Sequence, residues 1–418
     1  MAEQEQIRIL HLGLGRFHRA HQAVYYQNLS EDHSERWPVA AFSMRTAEAS
    51  ESLKKAHFTY PVIVLEKESA HLKNIDVICK SYFIQTDRLE YLKLMALSHV
   101  QMITLTVTEK GYSLNAQGEL DSRLIAEDLK KFENCSSAVG FLYYGLRHRC
   151  LSGGYPITIL SCDNLRDNGH RLKTAVLSFA KLMKDPRTAE WIEQQVSFPN
   201  TMVDRIVPQL STEKITELQK EFNTENPEIV ATESFSQWVI EDNFRGERPA
   251  LEKVGVQFVK SVQEHENIKL RVLNAAHSLL AYAGLLKSYN FVHEAVNNKE
   301  IRAAVENLWA EVSQQISIPN GYREKLLRRF DNPRLPHSLK QIAMDGSQKL
   351  PQRLLPNLKT RQLSECPSTE YALRCWAEYC YRHTPDDPQK PLIERLKAQA
   401  TDLDDFKKRL FREVLGLI

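Results

Sequence analysis

IRILHLGLGRFHRAHQA, residues 7–23, reads as strand, tight turn and helix. Ile7 to Leu12 is a short β-type run, Gly13-Leu14-Gly15 follows, and a helical pattern runs from about Arg19 to Leu29. A Rossmann-type fold places its first turn at such a point and seats a pyrophosphate over the helix N-terminus. The first glycine permits the turn, and the second lets backbone approach phosphate with no Cβ in the way. The third position of GxGxxG is His18, so the motif is incomplete, and a glycine pair after a strand also serves purely structural turns.

The residues beyond this turn continue the alternation of strand and helix that marks a parallel sheet covered by helices. Val39–Met44, Gln101–Val107 and Pro156–Ser161 are predicted strands. Helices are expected at Arg88–Leu97, Ser122–Phe132, Ala138–Cys150 and His170–Lys184. Phe58–Leu65 and Ile75–Ile84 are β-rich and closely spaced, and read as an antiparallel excursion. From about Lys260 the pattern becomes helical, through Leu270–Lys287, Lys299–Gln315, Lys325–Phe330, Leu335–Met344, Thr369–Arg382 and Pro391–Leu415. The expected fold class is α/β. A Rossmann-type, doubly wound N-terminal domain (residues 1–258) is followed by a mostly α-helical C-terminal domain (259–418), with a shared cleft for a small molecule.

Composition narrows the function. The chain has 418 residues, which at about 150 per domain suggests two or three domains. Its 42% hydrophobic and 26% charged residues describe an ordinary globular chain. Lys+Arg minus Asp+Glu is 55 − 53 = +2, with no long block of one sign, so neither nucleic acid nor an anionic membrane is an expected partner. No run approaches the roughly 20 apolar residues of a membrane helix, and the polar start does not read as a signal peptide. Seven cysteines without a CxxC suggest reduced thiols and a cytoplasmic setting. The oligomeric state is left open.

Three polar residues stand out on KLRVLNAAHSLLAY, residues 269–282. On an α-helix His277 lies about 80° and Asn274 about 140° round from Lys269, so one broad face can hold all three. Such a set suits oxidation of a secondary alcohol and its reverse. A desolvated Lys exchanges the proton, and Asn and His donors hold the developing oxyanion. The same residues also fit a surface Lys, a backbone-bonded Asn and a satisfied core His. Ser161-Cys162-Asp163-Asn164 and Thr106–Tyr112 close predicted strands, where α/β sites are built. Val203-Asp204-Arg205 is an ion pair or part of that cleft. No acid follows the second strand; Arg45 stands there, which keeps NADP open beside NAD. His11, His18, His21 and His33 form no HExxH, so no metal site is expected, and no GxxxxGK[ST] is present.

GLGRFHRAHQA at 13–23, TVTEKGY at 106–112 and SCDNLRDNG at 161–169 together resemble the mannitol dehydrogenase family, the zinc-independent polyol-specific long-chain dehydrogenases/reductases. FPNTMVDRIVP at 198–208, ESFSQWVIED at 233–242, GVQFV at 255–259, K-x4-N-x2-H at 269–277 and QIAMDGSQKLPQRLLP at 341–356 continue the resemblance. Beyond residue 360 little of it is legible. The resemblance implies NAD(P)(H), with Gly13, Leu14, Gly15, Arg16, Phe17 and Thr108 at the cofactor. It implies Lys269 as acid/base, with Asn274, His277 and Asn164 on the reacting oxygen. Asp204 would face the substrate, and Glu109 would exchange the proton with solvent. The QIAMDGSQKLPQR wording is most like members that interconvert fructuronate and mannonate. Lys349 and Arg353 are then candidates for the substrate carboxylate, or a surface pair flanking Pro351. A polyol dehydrogenase of mannitol or arabinitol, and a non-catalytic binding module, are the alternatives.

Overall fold

The computed structural model describes residues 6–115, 117–358 and 361–417. It divides into two units. One is the chain up to Leu65 with Ala70–Gln263, the other Glu66–Ser69 with the chain from Glu264 onward. Strand β1 (Ile9–Leu12) is buried at all four residues and forms the middle of a six-stranded sheet in the first unit. Its partners are β2 (Val39–Ser43) on one side and β6 (Met102–Leu105) on the other, both parallel. β5 (Ile78–Phe83) extends the first side, and β7 (Ile157–Ser161) with β8 (Val196–Ser197) the second.

The sheet is covered on both faces. Leu10 and Leu12 point into a core built with the helices Ala138–Leu151 and Asn168–Leu182. Ile9 points into another, with Ala23, Tyr26 and Leu29 of the helix Gln22–His33. That alternation is the period-two geometry of a strand buried on both sides. The chain leaves β1 toward β2 and β5, then returns to β6 and β7. The switch point, where α/β sites form, therefore lies between the carboxyl ends of β1 and β6.

Several expectations need correction. The excursion is a hairpin of β3 (Tyr60–Leu65) with β4 (Ala70–Ile75), joined by β10 (Val230–Thr232), and β5 is a parallel strand of the main sheet. The chain changes sheets at Asp76-Val77, whose two N–H groups both donate to the side-chain oxygen of Gln27. A side chain distant in sequence supplies that break, so Ile75–Ile84 reads falsely as one strand. Residues 122–130 form successive turns rather than a helix. Their Asp128 carboxylate accepts the N–H groups of Ser136 and Ser137, bracing the start of the next helix. A third sheet, of β9 (Thr201–Asp204), β11 (Gln237–Glu241) and β12 (Gln257–Val259), adds to the strands expected from the sequence.

The second unit is helical around a core that includes Val272, Leu279, Leu280, Trp309 and Trp376. Pro391–Leu415 is two helices, Lys390–Gln399 and Leu403–Leu415, because Ala400 is extended and Asp402 caps the second through the Asp405 N–H. No helix among the described residues is long and apolar enough to cross a membrane.

Candidate active site

In the first unit the turn after β1 is tightly held. Gly13 has φ +100°, and a Cβ there would collide with the Thr106 carbonyl oxygen. Its own carbonyl accepts from Thr106 Oγ1 at 2.8 Å and lies 3.0 Å from His11 Nε2. His18, in place of the expected third glycine, stacks on His11 with ring centroids 3.3 Å apart. Burial pushes the His11 imidazole down to about 3 and holds that of His18 well below its ordinary value, so the pair is uncharged near neutrality. Gly15 is different. It caps the short helix Arg16–Ala20, is exposed, and a Cβ on it would meet nothing nearer than the Gly13 carbonyl at 3.6 Å. The open backbone of Gly15 beside the switch point is the cradle a dinucleotide needs, so these residues fit the cofactor. Leu14 is buried, Arg16 exposed and Phe17 half-buried. Arg45 is exposed just past β2.

The loop after β6 is held from the neighbouring strand. Asp163, past the end of β7, accepts the Thr108 N–H at 2.7 Å, the Val107 N–H at 3.2 Å and the Tyr112 hydroxyl at 3.0 Å. Thr108 stands at φ +69°, ψ 166°, a conformation costing on the order of 1–3 kcal/mol that persists only where neighbours over-determine it. Glu109, next along, is exposed. Asn164 is exposed beside Asp163, and Asp204 is buried at the end of β9.

Burial raises the Asp163 carboxyl to about 6, against which its three hydrogen bonds work. In the unfolded chain an Asp ionises near 3.9. Between these values the folded protein keeps a proton that the unfolded chain has lost, so this group's contribution falls as pH rises. Wild-type stability relative to Asp163→Asn is expected to drop by roughly 2 kcal/mol between pH 4 and pH 7, since each tenfold difference in proton affinity is worth about 1.4 kcal/mol. Urea unfolding across that range measures it; parallel curves for the two proteins would remove the assignment.

In the second unit the helix Gln263–Ile268 runs into a π-helical stretch, Lys269–Asn274, and then the helix Ala275–Leu286. The Ala275 N–H reaches back five residues to the Leu270 carbonyl. This corrects the regular α-geometry expected here. In an α-helix residues five apart lie about 140° from alignment, whereas one i→i+5 turn stacks Asn274 over Lys269. The widened backbone is braced by the Trp309 indole, which donates to the Val272 carbonyl at 2.9 Å. Such bulges occur frequently at functional sites.

Lys269, Asn274 and His277 are all buried, at 9%, 7% and 8% exposure. Asn274 Nδ2 and His277 Nε2 are buried without a hydrogen-bond partner. His277 packs against Phe330 at 4.9 Å and His337 at 5.1 Å between ring centroids. Burial holds its imidazole well below the ordinary value, and His337, Arg329, Arg353 and Lys269 add in the same direction. Arg353 donates to Ser278 Oγ at 3.0 Å and lies 3.4 Å from the Asn274 carbonyl. Lys349 turns elsewhere, donating to the Met344 carbonyl at 2.7 Å. Burial, then Arg353, lowers its pKa. The structure thus gathers Lys269, Asn274, His277 and Arg353 in the second unit. It adds His337 and Arg329, which sequence reasoning misses. Their only local signal is a histidine after Pro336 in RFDNPRLPHSL, residues 329–339.

Residues 7–253 match the mannitol dehydrogenase Rossmann domain, and residues 261–414 match the mannitol dehydrogenase C-terminal domain. The D-mannonate oxidoreductase of Escherichia coli K12 is 43% identical over 83% of this chain and 74% of its own. Among solved structures, D-sorbitol dehydrogenase in substrate-free form superposes with a TM-score of 0.87 at 28% identity, over 96% of this chain and 88% of the other. Pseudomonas fluorescens mannitol 2-dehydrogenase, a ternary complex with NAD and D-mannitol, has a TM-score of 0.84 at 30% identity, over 98% and 88%. With the two domain matches spanning nearly all of its length, the chain belongs to the mannitol dehydrogenase family.

Proposed function

We propose that the chain is an NAD(H)-dependent oxidoreductase interconverting a keto-uronate and an aldonate, fructuronate and mannonate, with an ammonium rather than a metal ion as acid/base. The observation that carries this reading is a group of buried polar atoms, Asn274 Nδ2, His277 Nε2 and His337 Nδ1, that have no hydrogen-bond partner and stand among cations. More than nine in ten buried polar groups are hydrogen-bonded in proteins, so such a group marks the place of a polar ligand. Lys269, Arg329 and Arg353 around it suit an anionic one. Similarity to a D-mannonate oxidoreductase supports a sugar-acid substrate, and similarity to a mannitol 2-dehydrogenase bound to NAD supports the cofactor. A polyol or sugar-acid dehydrogenase is the coarser statement that both relatives support.

When bound, NADH would supply the hydride for the substrate carbonyl. On reduction Lys269 Nζ gives its proton to the carbonyl oxygen, and in the reverse direction takes it back. Asn274 Nδ2 and His277 Nε2, each an N–H donor, hold the negative charge gathering on that oxygen, and Asn164 adds a further donor. His277 serves uncharged, since burial and four basic neighbours disfavour its protonation. Asp204 accepts from substrate hydroxyls. Glu109, exposed on the braced loop, passes the proton to solvent. Arg353 beside Ser278 is the better placed cation for a carboxylate, because Lys349 already bonds backbone carbonyls. Gly13, Leu14, Gly15, Arg16, Phe17 and Thr108 hold the cofactor. Arg45 makes NADP the comparison to run.

Absorbance at the nicotinamide band with NADH and either fructuronate or fructose tests the reading. The expected kcat/KM for fructuronate exceeds that for fructose by about 10⁴-fold, the size of loss when a site's polar groups go unpaired. Preference for fructose, with oxidation of mannitol, would make the protein a polyol dehydrogenase. No turnover with either substrate would favour a binding module.

A further inference from the structure

His337 is fixed by its backbone rather than by the sheet-end logic that places other site residues. Its carbonyl accepts the Val292 N–H at 3.0 Å, and Leu339 N donates to the Asn290 carbonyl at 2.9 Å. Ser338 between them pairs with Phe291 as an antiparallel bridge. The ring is therefore anchored from below, edge-on to His277 at an interplanar angle of 82°. Its Nδ1 is buried and has no hydrogen-bond partner. Burial, with Arg329 adding, pushes the imidazole down to about 4, so it is neutral at pH 7 and offers one N–H. Arg329, at the end of the helix Tyr322–Phe330, acts on both imidazoles and supplies the charge that neutral rings lack.

We propose that His337 and Arg329, beside Arg353, complete the subsite for the carboxylate of the sugar acid and so set the preference for an acid over a neutral ketose. This rests on the keto-uronate reading above. In fructuronate four carbon–carbon bonds of about 1.5 Å separate the carbonyl carbon from the carboxylate carbon, roughly 5 Å when zigzag-extended. The rings of His277, on the reacting oxygen, and His337 adjoin, with centroids 5.1 Å apart, so the two ends of an extended substrate of that length fall on neighbouring imidazoles. A carboxylate there accepts one hydrogen bond from the imidazole and a charge-assisted one from the guanidinium. A neutral ketose presents a hydroxymethyl group at that end and gains no ion pair.

The test is steady-state kinetics of wild type, His337→Phe and Arg329→Gln with fructuronate and with fructose. His337→Phe keeps a flat ring against His277 and removes the donor. The expected result is a KM for fructuronate raised about tenfold or more, with a smaller fall in kcat, as loss of a hydrogen bond to a charged group implies. KM for NADH stays as in wild type, and kcat/KM for fructose falls by clearly less than that for fructuronate. Thermal unfolding confirms the fold, and if His337→Phe does not fold, Arg329→Gln carries the same expectation. An unchanged KM for fructuronate in both variants, or an equal loss for both sugars, overturns the subsite while leaving the keto-uronate reading intact. Failure of wild type to reduce fructuronate overturns both.

Discussion

Lys269→Met is expected to lower kcat for fructuronate reduction by about 10³-fold, within the range of general acid–base contributions. NADH affinity, read from quenching of intrinsic fluorescence, should hold. Methionine keeps the length and apolar body of lysine in a position that is 9% exposed, so the π-helical stretch around it is preserved. Only the proton donor is lost. The variant should also lose the ionisation that lysine contributes to the pH profile of kcat/KM. Turnover at the wild-type rate would show that another group handles the proton.

Gly13→Ala is expected to unfold the first unit at a markedly lower temperature and to abolish measurable NADH binding. The added methyl meets the Thr106 carbonyl, and φ +100° is foreign to alanine. Strain of about 3 kcal/mol, at roughly 2–4 °C per kcal/mol for a unit of this size, corresponds to a loss near 10 °C in Tm. Gly15→Ala supplies the contrast. Its φ is −110° and its surroundings are open, so the fold should be untouched, while KM for NADH rises because the methyl stands where the pyrophosphate approaches. Calorimetry and kinetics on the two variants separate the glycine that the fold itself requires from the glycine that only the cofactor requires. Equal melting temperatures would contradict the account of Gly13.

The central sheet is legible in the sequence because β1, β2, β6 and β7 carry their evidence locally, as apolar runs bounded by turn residues. β5 is not, because its separation from β4 depends on Gln27, a residue of a helix some fifty positions earlier. The turns at 122–130 read as helix because their apolar spacing mimics one; the Asp128 bonds that define them reach beyond the segment. At the site, Lys269, Asn274 and His277 stand out by polarity on an apolar helix, although the expected helical angle between the first two is wrong. A π turn leaves no mark in residue periodicity. Asp163 as the brace of Thr108, and His337 as the neighbour of His277, depend on contacts between segments far apart in the chain, which spacing alone does not encode.

The widened turn at Lys269–Asn274 also makes this segment intolerant of a kind of mutation that its side chains would survive. Removing Leu270 would let the helix rewind normally and leave Asn274 four residues, and about 40° round, from Lys269, while the hydrophobic contacts on either side re-form. Such a deletant is expected to fold, because Leu270 is only half-buried, and to turn over more slowly, because the ammonium and the amide no longer line up on one oxygen. For the four residues between Lys269 and Asn274, number counts as well as identity.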